Sequence, residues 1–201
     1  MVSMKIIGKG AEAYIYSTKL FGKEVIVKRR MRKNYRIEAL DESIRAARTK
    51  REVKVMYLLG KLGINAPKPI AFGKYDIYMS KVDGPLLRDY KHKNAQMFRV
   101  VGSVLGKMHN NNIVHGDFTP VNIVVSKGKI CLIDFGFSSI TNSVEDKAFD
   151  LLLMKRAISN AEYENFLAGY ISAAANSRMT IARASKIEKM GRYQKRTIDM
   201  L

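Results

Sequence analysis

The segment HGDFTPVN, residues 115–122, constrains the fold of this 201-residue chain more than any other stretch. It places a His, an Asp and an Asn within one short polar loop between two apolar runs. A single predicted β-hairpin, NIVVSKGKICLIDF, separates this loop from a second polar turn, Asp134-Phe135-Gly136. An isolated Asp-Phe-Gly is a common turn, but few folds place it one hairpin after such a loop.

The first part of the chain is predicted to form three antiparallel strands and one long helix. Residues 1–30 contain three apolar runs of β type that are separated by glycines. The stretch from Asp41 to about Lys61 carries good helix formers, and Asp41 suits an N-cap. After a loop with two prolines, YDIYMSKV is predicted to be a further strand.

The turn Asp83-Gly84-Pro85 indicates a boundary between two lobes. Beyond it, residues 95–110 show helical spacing of apolar side chains, and the chain from about Val144 is also predicted to be helical. The stripe that the first of these helices should bury comprises Met97, Val100, Val101, Val104, Leu105 and Met108. We therefore expect an α+β fold, with a β-rich N-terminal lobe of residues 1–82 and a mostly helical C-terminal lobe of residues 83–201.

Two motifs in the N-terminal lobe are typical of phosphate binding. The first is the glycine-rich IIGKGAEAYIY, where backbone N–H groups can approach phosphate oxygens, although Gly-x-Gly in a hairpin is more often a simple turn. The second is Lys28, which ends an apolar strand. Such a lysine is commonly the first solvated residue of its strand, but Glu52 in the long helix offers it a partner.

Two further motifs carry acidic groups. In a protein-kinase catalytic loop an Asp orients the acceptor or receives its proton, and an Asn five residues later binds a metal ion. Asp117 and Asn122 have that spacing, and Asp134 matches the kinase Asp that binds Mg²⁺ on the ATP phosphates. Together, the four motifs resemble a minimal, two-lobed protein-kinase-like fold. His115 is expected to pack within its loop rather than to act in catalysis.

The chain departs from ordinary protein kinases in two ways. Gly116 replaces the Arg that would pair with a phosphorylated activation loop, and the long activation segment with its Ala-Pro-Glu motif is missing after Asp134. An HGD triplet also occurs in small-molecule phosphotransferases that act on aminoglycosides and choline. Those enzymes normally add a larger helical acceptor domain, for which this chain has little room.

The chain resembles more closely, along essentially its whole length, the kinase/ATPase subunit of the KEOPS complex, the Bud/PRPK family of RIO-like atypical kinases. The segments that carry the resemblance are GKGAEAYIY, VIVKRRMRKNYR, LDESIRAARTKRE, IVHGDFTPVNIVV, LIDFGFSS and VEDKAFDLLLMKRA. RTKRE and VEDKAFDL are the more diagnostic, because general kinases lack them. The compact chain is similar to the free-standing archaeal subunit.

The resemblance implies ATP and Mg²⁺ as cofactors and a set of site residues. Asp117 is implied as the catalytic base, acting with Lys28 and Asn122. Asn122 and Asp134 are implied as the metal ligands. The implied nucleotide-binding residues are Ile7, Gly8, Lys9, Gly10, Ala11, Glu12, Ala13, Ile15, Lys28, Glu52, Ser80 and Val82, of which the stretch from Ser80 to Val82 forms the hinge to adenine.

The family consists of Ser/Thr protein kinases with ATPase activity that support threonylcarbamoyladenosine modification of tRNA, together with a synthase subunit and other KEOPS subunits. Two other functions stay open. If the chain is a small-molecule phosphotransferase, its ATP turnover should be stimulated by one metabolite. A catalytically silent, tRNA-binding scaffold would not need the intact set of Lys28, Asp117, Asn122 and Asp134.

The charge of the chain favours a polyanionic partner. Lys and Arg number 36 against 18 Asp and Glu, a net charge of +18. Residues 28–54 hold eleven basic residues against four acids, and residues 178–196 hold seven against one. We expect both segments to bind tRNA, most of all the C-terminal tail, which has few large apolar side chains to pack.

The composition also bears on the compartment. Cys131 is the single cysteine, so the chain cannot form an internal disulfide or a cysteine-based metal site. No apolar run approaches the roughly 18 residues that a bilayer-spanning helix needs. We expect a soluble, cytoplasmic protein.

Overall fold

The computed structural model describes residues 4–20 and 22–198, and side chains as far as residue 190. The chain forms two compact units, one from the chain up to Gly84 with Val124–Phe137, the other from Pro85–Ile123 with the chain from Ser138. The α+β class is confirmed, while the lobe boundary between residues 82 and 83 stays a prediction. Within the described ranges, no helix combines the length and the apolar character that crossing a membrane requires.

A five-stranded antiparallel sheet forms most of the first unit. Its strands are β1 (Lys5–Lys9), β2 (Ala13–Leu20), β3 (Lys23–Arg30), β4 (Pro69–Phe72) and β5 (Asp76–Ser80), in the order β1-β2-β3-β5-β4. The three consecutive strands predicted for residues 1–30 are confirmed. The prediction of a loop with two prolines before the next strand is wrong in part, because β4 begins at Pro69 within that stretch. A proline is tolerated there because β4 is an edge strand.

Helix α1 (Glu38–Lys61) begins earlier than predicted, and Asp41 is not its N-cap. The cap position falls on Ile37, which provides no side-chain hydrogen bond. Asp41 lies in the first turn instead, where its buried carboxylate accepts from the backbone N–H of Lys33 at 3.2 Å and from Arg45 Nε at 2.6 Å. Asp41 thus fixes the segment that leads into the helix.

The hairpin predicted after the HGDFTPVN loop is confirmed as β7 (Ile123–Ser126) and β8 (Lys129–Leu132). Lys127 and Gly128 form its turn with φ values of 49° and 73°. Two central residues with positive φ are typical of the tight turns that match the twist of a hairpin. The backbone N–H of Leu132 donates to Asn65 O at 2.9 Å, which ties this hairpin to the loop after α1.

The second unit consists mainly of four helices. These are α2 (Ala95–Asn110), α3 (Val144–Ala157), α4 (Asn160–Ala173) and α5 (Ser177–Ile198). Strands β6 (Ile113–Val114) and β9 (Ser139–Ile140) pair antiparallel beside them. The predicted helix over residues 95–110 is confirmed, and so is the helical character of the chain from Val144.

The buried stripe predicted for α2 is wrong in part. Val100 is 40% exposed, whereas Phe98 and His109 are buried. The reason is a close crossing of α2 and α4 through glycines. A Cβ at Gly102 would lie 1.9 Å from Phe166 O, and a Cβ at Gly169 would lie 1.9 Å from Arg99 O. The contact face of α2 therefore follows its glycines as well as its large side chains.

The expectation that the basic tail packs little is wrong for its first part. Ser177, Thr180 and Ala184 of α5 are buried, and α5 packs on α3. Lys155 Nζ of α3 lies 2.6 Å from Glu188 Oε2 of α5. The side chains of residues 191–201, which include basic residues of the expected tRNA-binding tail, lie outside the described part of the chain.

Adding one methyl group at the helix crossing should destabilise the fold. Gly102→Ala forces α2 and α4 apart, and overpacking of this kind costs about 1–3 kcal/mol or more. Gly60→Ala is the matched control, because no atom lies within 4 Å of its added Cβ. In the α1 helix this control should gain up to about 1 kcal/mol. Urea unfolding of the two variants measures both values, and an unchanged midpoint for Gly102→Ala would contradict the close crossing.

Candidate active site

A buried lysine–glutamate pair lies in the first unit. Lys28 of β3 stands in register between Ile15 of β2 and Ile77 of β5. Its ammonium group donates to Glu52 Oε1 of α1 at 2.8 Å, and the two side chains are 7% and 2% exposed. Lys28 is therefore not a solvated strand end. An ion pair buried this deeply persists only when further partners satisfy both charged groups.

Asp134 is the second acceptor of Lys28. Its Oδ1 lies 2.7 Å from Lys28 Nζ and also accepts from the backbone N–H of Gly136 at 3.2 Å. The Asp134 side chain is 52% exposed, and its backbone has a φ of 59°. Non-glycine residues rarely adopt such a conformation, and those that do cluster at functional sites. One oxygen of this carboxylate therefore faces an ammonium group, and the side chain is about half exposed.

Two arginines that the sequence interpretation missed extend this network. Glu52 Oε2 accepts from Arg30 Nη2 at 2.5 Å, so each oxygen of the buried carboxylate binds one cation. Glu12 of the glycine-rich loop lies 3.7 Å from Arg30 Nη1 and forms an ion pair with Arg48 of α1. The available signal for Arg30 was the two-residue period of a strand, which directs Lys28 and Arg30 to the same face.

The glycine-rich loop is held at its tip by one hydrogen bond of its own and by two residues beyond β3. The backbone N–H of Gly10 donates to Ala13 O at 2.9 Å, and that of Met31 donates to Glu12 O at 3.2 Å. The Lys33 ammonium group donates to Ala11 O. The predicted nucleotide-binding residues that flank this tip lie on β1 (Ile7, Gly8 and Lys9) and on β2 (Ala13 and Ile15).

The predicted hinge follows directly on β5, which lies between β3 and the edge strand β4. Ser80 is the last residue of β5, and Val82 lies half-buried just beyond it. The Ser80 hydroxyl accepts from Lys68 N at 2.9 Å, and Ser80 N donates to Lys68 O at 2.9 Å. These bonds fix the chain where the hinge begins.

In the second unit the structure brings Asp117 and Asn122 together. Asn122 Nδ2 donates to the backbone oxygen of Asp117 at 2.9 Å and to its Oδ2 at 2.8 Å. Because both hydrogens of that amide are used, Oδ1 of Asn122 is the atom left to coordinate a cation. Carboxylate and amide oxygens are the donors that Mg²⁺ takes from proteins, so Asn122 and Asp134 fit the chemistry of the implied metal.

Asp150 of α3 anchors the HGDFTPVN loop, a role that the sequence interpretation missed. Its fully buried carboxylate accepts from the backbone N–H groups of His115 and Gly116, each at 2.8 Å, and lies 3.2 Å from His109 Nε2. Gly116 has a φ of 79°, a conformation that favours glycine. Gly116 therefore serves the backbone conformation of the loop, in addition to lacking the arginine side chain that ordinary protein kinases have at this position. In the sequence, the position of Asp150 within the apolar run AFDLLL could have indicated that this acid is buried.

His115 packs inside its loop, as the sequence analysis predicts. The side chain is fully buried, and its ring meets the ring of Phe118 edge-on at 5.6 Å between centroids. Its Nδ1 lies 3.3 Å from the backbone nitrogen of Asp117, which helps to orient the loop.

Comparison with known proteins first shows the class of domain to which the chain belongs. The sequence model of the RIO domain matches residues 13–164. The fold is similar to that of the Rio2 kinase from Chaetomium thermophilum in its ADP/Mg²⁺-phosphoaspartate complex, with a TM-score of 0.65 and 18% identity over 96% of this chain and 71% of that one.

Closer relatives define the family within that class. The KEOPS complex subunit Bud32 of Pyrococcus abyssi is 33% identical over 96% of this chain and 98% of that protein. The EKC/KEOPS complex subunit BUD32 of Enterocytozoon bieneusi is 35% identical over 94% of this chain and 98% of that protein. The chain belongs to the Bud32 family of RIO-domain proteins.

Some relatives are much longer than this chain. A probable bifunctional tRNA threonylcarbamoyladenosine biosynthesis protein of Methanocaldococcus jannaschii is 36% identical over 94% of this chain, which spans only 37% of that protein's length. The match therefore concerns one part of that protein.

The ion pair of Glu12 should be lost in acid. Burial alone would raise the pKa of Glu12, but the hydrogen bond from Arg48 and the charges of Arg48 and Arg30 hold it below the ordinary value of 4.5. A carboxyl group whose pKa is lower in the folded state stabilises the fold above its ordinary pKa, and this stabilisation disappears as the pH falls through the folded value. Glu12→Gln should therefore be less stable than wild type near neutral pH and approach it in acid.

Urea unfolding of both proteins at a series of pH values measures this difference. Arg48→Met serves as the control, because it removes the strongest interaction that lowers the pKa of Glu12. In that background the pH dependence of the Glu12→Gln effect should shrink. A stability difference that stays constant down to about pH 3, well below the ordinary pKa, would contradict the ion pair.

Proposed function

We propose that this chain is an ATP-dependent Ser/Thr protein kinase and ATPase subunit of a KEOPS complex, supporting threonylcarbamoyladenosine modification of tRNA in the cytoplasm. The observation that carries the proposal is the Lys28 ammonium group between Glu52 at 2.8 Å and Asp134 at 2.7 Å. The similarity to the Bud32 and threonylcarbamoyladenosine biosynthesis relatives supports the assembly and the pathway step.

In this proposal Lys28 exchanges one partner when ATP binds. Glu52 keeps hold of the ammonium group, because its other oxygen is fixed by Arg30. Lys28 then turns from Asp134 to the α and β phosphates. Asp134 and Asn122 would each offer an oxygen to Mg²⁺, which would supply positive charge to the phosphates and Lewis-acid stabilisation of the leaving group.

Asp117 acts on the attacking hydroxyl group. Asn122 occupies its Oδ2, so Oδ1 accepts the proton of the attacking oxygen. As this proton leaves, the oxygen forms a bond to the γ phosphorus and the bond from that phosphorus to the ADP oxygen breaks. The attacking oxygen belongs to water in ATP hydrolysis and to a Ser or Thr hydroxyl in protein phosphorylation, so one carboxylate serves both reactions.

The tRNA partner is proposed from the distribution of positive charge. Most basic residues of segment 28–54 are neutralised within the fold, as Arg29 is by Asp76 at 2.9 Å. Lys50, Arg51 and Lys54 of α1 are exposed and have no acidic partner among the described residues. We propose that these three side chains contact tRNA phosphates, together with the exposed lysines of α5.

Removing the metal-binding carboxylate should abolish ATP turnover. Asp134→Ala should hydrolyse ATP at the background rate, alone and with the synthase subunit and tRNA, because Mg²⁺ loses a ligand and Lys28 loses its resting partner. Asp89→Ala is the matched control, since Asp89 is 55% exposed, pairs with the neighbouring Arg88 and belongs to no predicted site. Phosphate release with ATP and Mg²⁺ measures both variants. Equal turnover of Asp134→Ala and wild type would refute the proposed enzymatic activity.

The tRNA proposal predicts a specific dependence on salt. Replacing Lys50, Arg51 and Lys54 with Gln should reduce the slope of log affinity against log salt concentration by about 0.7–0.9 for each tRNA phosphate that the variant no longer neutralises. The control is the same replacement of Lys5, Lys19 and Lys23, which are exposed on β1, β2 and β3 and belong to no predicted site. Filter binding of tRNA to the complex at several salt concentrations measures the slope. An unchanged slope in the first variant would exclude these residues from the interface.

A further inference from the structure

A polar cavity in the second unit carries an uncompensated positive charge. Its volume is about 120 Å³, and its lining includes Lys147, Asn112, Asn142, His109 and Tyr170. Lys147 of α3 is only 7% exposed, yet no carboxylate of the described residues lies within ion-pair distance of its ammonium group. Few lysines are buried to this extent without an acidic partner, because the desolvation of the charge is costly.

The present partners of Lys147 leave part of its bonding capacity unused. The ammonium group donates to Asn112 Oδ1 and to Asn142 Oδ1, each at 3.2 Å. An ammonium group has three N–H donors, and these two acceptors are neutral. Burial lowers the pKa of Lys147 below its ordinary value, as expected for an ammonium group without a counter-charge.

The surrounding groups add donors rather than acceptors. Because both asparagines direct their amide oxygens to Lys147, their NH₂ groups are left for another partner, and both residues are exposed at the cavity mouth. Asp150, three residues further along α3, already accepts from His115, Gly116 and His109. Tyr170 Oη is paired with His109 Nδ1 at 2.8 Å.

We propose that this cavity binds one small oxyanion, held by Lys147 and by the amide groups of Asn112 and Asn142. The volume suits a single phosphate or carboxylate group rather than a nucleotide. The anion is either free or carried as a carboxylate by a protein segment, and both sources offer the same oxygens to the same donors. The bound charge replaces the missing counter-ion of Lys147.

The site adjoins the anchor of the catalytic loop. His109 lines the cavity and contacts Asp150, which in turn holds the backbone of His115 and Gly116. A bound anion stabilises the folded state by mass action, so melting temperature is a readout that does not depend on ATP turnover. A failure of the proposed kinase activity would leave this binding test unaffected.

The test is a titration of the full chain with sodium phosphate or with sodium acetate, at constant ionic strength maintained with chloride. The side-chain amide signals of Asn112 and Asn142 in ¹H–¹⁵N NMR spectra report the site itself, and the melting temperature reports stabilisation. Wild type should show saturable shifts and a rising melting temperature. Lys107→Met, which removes an exposed lysine of α2, should behave like wild type, whereas Lys147→Met should show neither response.

A second variant protects the test against misfolding of Lys147→Met. Asn142→Asp places a carboxylate beside the ammonium group at an exposed position, so it should raise the melting temperature without added anion and abolish the response to anions. Saturation by phosphate alone identifies a free phosphate-type anion, and saturation by acetate identifies a carboxylate. Shifts that do not saturate, or that persist unchanged in Asn142→Asp and in a folded Lys147→Met, would overturn the proposal.

Discussion

The arrangement of the first unit depends on the ion pairs that the buried carboxylate of Glu52 forms. Its oxygens bind Lys28 at 2.8 Å and Arg30 at 2.5 Å, so helix α1 is tied twice to strand β3. Taking such charges out of water costs several kcal/mol for each ion, and removing one partner of a buried pair costs about 3–5 kcal/mol. The network therefore persists only as a whole.

The same network reaches the glycine-rich loop. Arg30 and Arg48 both face Glu12 at the tip of the loop, so the loop, the strand and the helix share one set of charges. Asp134 joins the set through Lys28, and its backbone conformation is one that most residues avoid. A segment held in an unfavourable conformation needs contacts that fix it, and Lys28 and Gly136 provide them.

The second unit uses a comparable device. There the buried acid is Asp150, which fixes two successive backbone N–H groups of the HGDFTPVN loop instead of a side chain. Asp117 then needs a single further partner, Asn122, to orient its carboxylate. In both units an acid on a helix positions the segment that carries a predicted site residue.

The sequence allowed most elements and the motif residues to be predicted, because local periodicity and short spacing carry that information. Lys28, Glu52, Asp117, Asn122 and Asp134 were predicted as site residues from their order along the chain, and the structure shows the contacts of Lys28 with Glu52 and Asp134 and of Asp117 with Asn122. Arg30, Arg48 and Asp150 were missed, because their partners are distant in sequence and a basic or acidic residue in a helix or strand usually faces solvent.

The errors in the fold have physical reasons of the same kind. Strand β4 was missed because its proline suggests a loop, and the buried face of α2 was misjudged because glycines bring α4 so close. The packing of α5 was not foreseen because small side chains such as Ala184, rather than large apolar ones, are buried there.

The most direct test of the central claim is the affinity for ATP and Mg²⁺ in a double-mutant cycle of Lys28→Met and Glu52→Gln, measured by calorimetry. If Glu52 acts by holding Lys28 in place, Glu52→Gln weakens ATP binding when Lys28 is present and has little further effect in the Lys28→Met background. The coupling should fall in the range of about 0.5–3 kcal/mol that contacting residues show. Strictly additive effects of the two substitutions would contradict the account.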